Sequence, residues 1–359
     1  MRVQKPHKSK KLVLILFLLL ASISLTILPC LNACSTGLFR NTVSQNTKGI
    51  NSNTEKKLAE QSDKSGLSGL PKVLAVESFL ADITKNISKG RMEIDTLMPL
   101  NLDPHSFEPS PGDVVKITES DILITNGAGF EEWLDKIITG ANDKIIIVEC
   151  SKGLKNRIAD VPESKSSGDS HVEVTENEQQ YHYEVDPHFW LDPNLVKIYV
   201  QNIKIALIEA DPQGKDLYNN NAEEYSTRLT ELDKWIVEEV KKIPEQNKLL
   251  VTNHESFGYY ADRYGFKVIG TIIPGSSSAS SPSAREISEL IEKIKATGAK
   301  AIFLETGSDP KIADQIAKEI NIKIGTELYS HSITEPGGPA PTYIDMIKFN
   351  TDVIVKYLK

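Results

Sequence analysis

The chain has 359 residues, 40% of them hydrophobic and 25% charged, with 41 Lys and Arg against 49 Asp and Glu for a formal net charge of −8. That acidic balance excludes a protein that holds nucleic acid by neutralising phosphates, which takes clustered Lys and Arg. The length suits two domains with their own cores.

The N-terminus runs from the basic MRVQKPHKSKK to the apolar LVLILFLLLASISLTIL and then PCLNACSTG, the order of a secretory signal. Three readings fit it. The seventeen apolar or small residues 12–28 nearly reach the length of a membrane-spanning helix. A signal cut at a small residue is the second reading. The third, which is favoured, is a lipoprotein signal: Leu31-Asn32-Ala33-Cys34 resembles a lipobox whose Cys34 takes the lipid, while Cys30 fits worse behind Pro29. Cut before Cys34, the mature chain keeps only Cys34 and Cys150, and an acylated Cys34 leaves no disulfide to form. The signal, 1–33, carries five Lys and Arg and no acids. The mature chain is then near −13, which suits a soluble body that attracts cations. Residues 34–70 are Ser-, Asn-, Thr- and Lys-rich without apolar periodicity, and read as a disordered tether.

Past Pro71, short apolar runs alternate with amphipathic segments. VLAVES (73–78) reads as a strand and SFLADITKNISKG (78–90) as a helix closed by Gly90. Further strands are expected at EIDTLM (93–98), DILITNG (121–127) and KIIIVEC (144–150). The pattern restarts at KLLVT (248–252), FKVIG (266–270) and AIFLET (301–306). Wholly apolar strands separated by helices predict parallel sheets covered on both faces. The expected fold is therefore α/β, with one lobe over 71–211 and a second over 244–359. Between them, Asp211 as N-cap and Pro212 at the first helical position predict a linking helix over 212–243, a strut between the lobes. The acidic stretch 162–184 reads as a flexible loop, and its His171 and His182 either gather metal or are bystanders.

Four of the seven histidines fall where predicted strands give way to loops, two per lobe. His105 lies in DPHSFEP and His188 in DPHFWLDP, so one Asp-Pro-His frame is written twice. Ser110-Pro111-Gly112-Asp113 starts a helix just after the first. His254 follows KLLVT, at the strand end that faces the ligand crevice in open α/β sheets. His331 lies in LYSHSITEPGG. A cleft between the lobes could collect all four, and four imidazoles fill a tetrahedral zinc shell. Asp103, Asp186, Glu255 and Glu305 are candidates to orient the rings or supply negative field. Phe107, Trp190 and Phe257, just downstream of three of the histidines, are candidates to wall off water.

DPHSFEPSPGDVVKITESDILITNGAGFEEWLDKI (103–137), DPHFWLDP, VTNHESFGYYADRYGFKVIG (251–270), AIFLE (301–305) and APTYIDMIKFN (340–350) together resemble the solute-binding proteins of bacterial zinc/manganese ABC importers, the cluster A-I or cluster 9 group. The resemblance spans essentially all of 71–359, in the family's order. It implies two α/β lobes on one rigid backbone helix with the metal buried between them, and ligands at His105, His188 and His254. Many members have Asp in a YSDS-like frame at the fourth position, where this chain has Tyr329-Ser330-His331-Ser332. With His331 there the site is all nitrogen, which suits Zn(II) over Mn(II) or Fe(II). If His331 turns away, Glu305 is the substitute. The implied partners are an ABC permease and its ATPase, with the protein a monomer held outside the cytoplasmic membrane by lipid on Cys34. The rival readings are a zinc hydrolase or hydratase with three His and a water, with Glu255 as base, and a surface adhesin.

Overall fold

The apolar run after Pro71 forms β1 (Val73–Ala75), and all three of its residues are buried. With β2 (Ile94–Thr96), β3 (Ile122–Thr125) and β4 (Ile146–Glu149) it makes a four-stranded parallel sheet in the order β2-β1-β3-β4. Val73 is paired with Ile94 on one side and Ile122 on the other. A strand buried on both faces has no polar side to alternate with, which is why VLA and ILIT read as unbroken apolar runs. The computed structural model describes residues 69–138, 145–158, 185–275, 278 and 281–359. The signal, nearly all of the expected tether including Cys34, and the 162–184 loop up to residue 184, with His171 and His182, lie outside the described residues.

Helix α1 (Ser78–Ser88) buries Phe79, Leu80, Ile83 and Ile87 along one face and ends where Lys89 and Gly90 take φ of 42° and 81°. Helix α2 (Pro111–Thr118) opens on the capping box expected from the sequence: Ser110 Oγ accepts from the Asp113 N–H, and the Asp113 carboxylate accepts from the Ser110 N–H. After α3 (Glu132–Ile138), a short antiparallel pair, β5 (Arg157–Ile158) with β6 (Val185–Asp186), leads into α4 (Pro193–Ala210). Asp192 caps α4 by accepting from the Asn194 N–H at 2.8 Å.

The long helix α5 runs Lys215–Val240, 26 residues and about 39 Å, shorter at both ends than the expected 212–243. Pro212–Gly214 form a separate 3-10 turn. Asp211 does not cap the helix with its side chain, because that carboxylate is taken by Arg91, through Nε and through Nη2 at 3.0 Å, and by the Tyr218 hydroxyl at 2.7 Å. A buried stripe of Tyr218, Ala222, Tyr225, Leu229, Leu232, Ile236 and Val240 packs α5 against α1 and α4, which precede it, and against the last helix α9 (Tyr343–Leu358).

Beyond α5, β7 (Leu249–Thr252) pairs parallel with β8 (Lys267–Thr271), β9 (Ala301–Glu305) pairs parallel with β10 (Lys323–Leu328), and β7 lies beside β9. Helices α6 (Gly258–Tyr264), α7 (Ala284–Thr297) and α8 (Lys311–Ile320) complete this part. One core cluster runs through α1, α4, α5 and α9; another joins Val251, Ile302 and Leu304 to Ile291 and Ile316. Among the described residues no helix is long and apolar enough to cross a membrane.

Candidate metal centre

The repeated Asp-Pro-His frame does the same local job twice. Asp103 Oδ1 accepts the backbone N–H of His105 at 3.0 Å, and Asp186 Oδ1 accepts that of His188 at 3.0 Å. Each carboxylate thus closes a tight turn around its proline, and each His sits at a short 3-10 turn, Pro104–Ser106 in the first frame and Phe189–Leu191 in the second. In the second frame the carboxylate also reaches the ring, with Asp186 Oδ1 2.9 Å from His188 Nδ1. The Asp103 carboxylate instead accepts the Ser278 hydroxyl.

His254 and Glu305 come from the C-terminal ends of neighbouring strands β7 and β9. Glu305 Oε1 lies 3.0 Å from His254 Nδ1 and 3.3 Å from its backbone nitrogen. His331 follows β10 on a segment tied to the first half of the chain. Trp190 Nε1 donates to the Ser330 carbonyl at 2.6 Å, the Asn101 N–H donates to Ser332 Oγ at 3.1 Å, and the Ile333 N–H donates to Ser78 Oγ at 3.1 Å.

The four rings converge through one atom each. His188 Nε2 is 3.3 Å from His105 Nε2, 3.2 Å from His254 Nε2 and 3.4 Å from His331 Nε2. One ligand atom from each of the four lies within 4.8 Å of all the others. His188, His254 and His331 are buried, and His105 is half-buried at the rim. Carboxylate oxygens stand beside Nδ1 of His188 at 2.9 Å and of His254 at 3.0 Å, which favours the tautomer whose Nε2 lone pairs face each other, an arrangement that suits a shared electrophile.

Burial, reinforced by the neighbouring imidazoles, holds His105, His188 and His331 well below the usual imidazole range. Burial also pulls His254 down, but Glu305, Asp103 and Asp186 outweigh it and leave that ring raised. Burial pushes Glu305 up, and His254 and Ser330 bring it back below the ordinary carboxylate value. Asp186, with burial dominant, is pushed up to about 7.

The other candidates separate. Glu255 pairs with Arg157 at 2.8 Å. Phe107 packs on Trp133 and Phe257 on Tyr260, both away from the histidines, whereas Trp190 lies 5.1 Å from the His188 ring. Sequence reasoning missed Phe130, whose ring centroid is 5.0 Å from His105, 5.8 Å from His188 and 5.9 Å from His331. Its signal was available: it stands in the Gly127-Ala128-Gly129 turn after β3, at the same sheet edge as the ligand crevice.

An α/β fold with parallel sheets and a long helix, carrying four convergent imidazoles of which three are buried, defines a class of metal-binding protein. Residues 73–357 match the family described as "ZnuA: Zinc-uptake complex component A periplasmic". The chain belongs to this family, the substrate-binding components of metal ABC transporters, and is not an enzyme, which sets the hydrolase reading aside. It is 31% identical over 287 residues to "Manganese-binding lipoprotein MntA" of Halalkalibacterium halodurans, a match covering 80% of this chain and 88% of that one. Among solved structures it is similar to the periplasmic zinc binding protein TroA from Treponema pallidum, with a TM-score of 0.70 and 26% identity over 81% of this chain and 99% of that one. The Mn-bound periplasmic metal binding protein from candidatus liberibacter asiaticus gives a TM-score of 0.68 and 28% identity over 80% and 100%. Relatives named for zinc and for manganese thus share this fold.

Proposed function

We propose that the protein captures Zn(II) with His105, His188, His254 and His331 and delivers it to the permease and ATPase of an ABC importer, from a lipid anchor at Cys34 outside the cytoplasmic membrane. In this reading residues 1–33 are the removed signal, 34–70 the tether, and 71–211 and 244–359 two lobes that close on the ion as a monomer.

The spacing of the Nε2 atoms carries the reading. Zinc–nitrogen bonds of about 2.0–2.1 Å set tetrahedron edges of about 3.3–3.4 Å, and the three edges that meet at His188 are 3.2–3.4 Å. An all-imidazole shell favours zinc, whereas manganese prefers oxygen-rich octahedral sites. Four neutral imidazoles leave the charge of a bound ion at +2, and the buried Glu305 carboxylate against the His254 ring offsets it in part. The test is elemental analysis of the purified protein with zinc–manganese competition, on wild type and His331→Ala. One zinc per chain, zinc held over manganese, and a marked affinity loss in the variant are expected. Preferential retention of manganese or iron(II), or full zinc affinity in His331→Ala, would overturn it.

A further inference from the structure

The hairpin that carries Asp186 and the segment that follows β7 meet at Arg157. Its Nη1 donates to Glu255 Oε1 at 2.8 Å and lies 3.7 Å from Asp186 Oδ2, and its Nε donates to Asp262 Oδ2 at 2.9 Å. Its backbone N–H donates to the Tyr259 hydroxyl at 2.8 Å, and that hydroxyl donates to the Asp186 carbonyl at 3.0 Å. Residues 157 and 186 precede the long helix α5, whereas 255, 259 and 262 follow it, so the network joins the two halves of the chain. The side chain of Arg157 is 16% exposed and that of Asp186 not at all.

Gly258, the first residue of α6, supplies the space. A Cβ there would lie 2.6 Å from both Arg157 Nη1 and Asp186 Oδ2. The two carboxylate oxygens of Asp186 divide the work. Oδ1 holds the His188 backbone and ring, while Oδ2 makes no hydrogen bond among the described residues and has the guanidinium beside it.

We propose that Arg157 is a positioning residue for metal capture: it clasps the β5–β6 hairpin to the start of α6 and sets the Asp186 carboxylate that orients His188. This rests on the reading of His188 as a zinc ligand and deepens it. The planar guanidinium reaches three acids from one rigid fork, which a lysine cannot do. Partners one step out from the ligands tune metal affinity by fixing ring orientation.

The test compares Arg157→Met, Arg157→Lys and Gly258→Ala in the full mature chain, using Zn(II) and Co(II) as probes. In Arg157→Met, affinity is expected to fall about 10- to 100-fold through faster release. Arg157→Lys should recover part of it, and the Co(II) absorption bands of a tetrahedral nitrogen site should persist. Gly258→Ala, which presses on the clasp without removing it, should speed release as well and keeps the test open if Arg157→Met folds poorly. A residue that merely packs the hairpin would lower the thermal midpoint of metal-free protein and leave affinity and release unchanged, and that result overturns the proposal. Wild type lacking tetrahedral nitrogen bands, or His188→Ala binding zinc like wild type, would sink the ligand reading and this inference with it. With both controls passed and Arg157→Met still binding normally, Arg157 alone loses its role.

Discussion

Exchanging Glu305 for Gln asks how much of the affinity lies outside the four nitrogens. Glu305 is 1% exposed, at the end of β9, and its Oε1 faces both the ring and the backbone nitrogen of His254. Glutamine has the same shape, and its carbonyl oxygen accepts at the same place, so the substitution removes charge and little else. Because His254 and Ser330 hold Glu305 below the ordinary carboxylate value, that charge is present at neutral pH. Loss of such an outer partner costs about 10- to 100-fold in metal affinity, or about 1.4–2.7 kcal/mol. With the acceptor retained, Glu305→Gln belongs at the low end, about tenfold. Glu305→Ala, which also strips the acceptor from a buried imidazole and an N–H, belongs at the high end. Zinc competition against a chromophoric chelator measures both. If Glu305→Gln binds within about twofold of wild type, or loses as much as Glu305→Ala, buried negative charge does not balance the ion.

Phe130→Ala removes a ring that covers three of the histidines and should cost about 3–5 kcal/mol of stability, read by urea denaturation, with faster zinc release by stopped flow; unchanged release would remove Phe130 as a water barrier. Trp190→Phe loses the 2.6 Å bond to the Ser330 carbonyl and should destabilise by about 1–3 kcal/mol, while weakening zinc more than a core substitution distant from the His331 segment does. Zinc affinity should fall as pH drops, first as the raised His254 takes up its proton and then, at lower pH, as the depressed His105, His188 and His331 do, because each ligand must be neutral; a flat titration would exclude histidine ligation. Away from the metal, burial pushes Glu131 up to about 7 against the opposing Asn126 and Gly127 N–H groups, and Glu77 beside it is also raised. An unfolded Glu titrates near ~4.3, so the folded state keeps this proton longer. Its stabilising effect is full below ~4.3 and is lost as pH rises through about 7. Glu131→Gln should flatten the decline of unfolding free energy between those values, and an undiminished slope would refute the assignment.

Much of the architecture was legible because buried parallel strands leave unbroken apolar runs and helix starts carry their own caps. The Ser110–Asp113 box was local chemistry, and local chemistry is written in consecutive letters. β10 was not among the expected strands, since KIGTEL mixes a glycine, Lys323 and Glu327 into a run that pairs with β9 only through a register shift. The long helix came out shorter than its proline bounds, since Arg91, 120 residues away, claims the carboxylate expected to cap it. Glu255 looked like a partner for His254 next to it in sequence, yet its carboxylate is drawn to Arg157.

The sequence by itself determined the family, through motifs that resemble it, and the strand-to-loop placement of four histidines and the stiff Asp-Pro-His turns, which depend on short-range sterics and apolar periodicity. Only the tertiary structure decided that His331 joins the other three, that Phe130 lines them, and which acids face which rings. Those outcomes depend on the directions of side chains brought together from segments up to 226 residues apart, from His105 to His331. No local rule fixes such directions; packing across the long helix does.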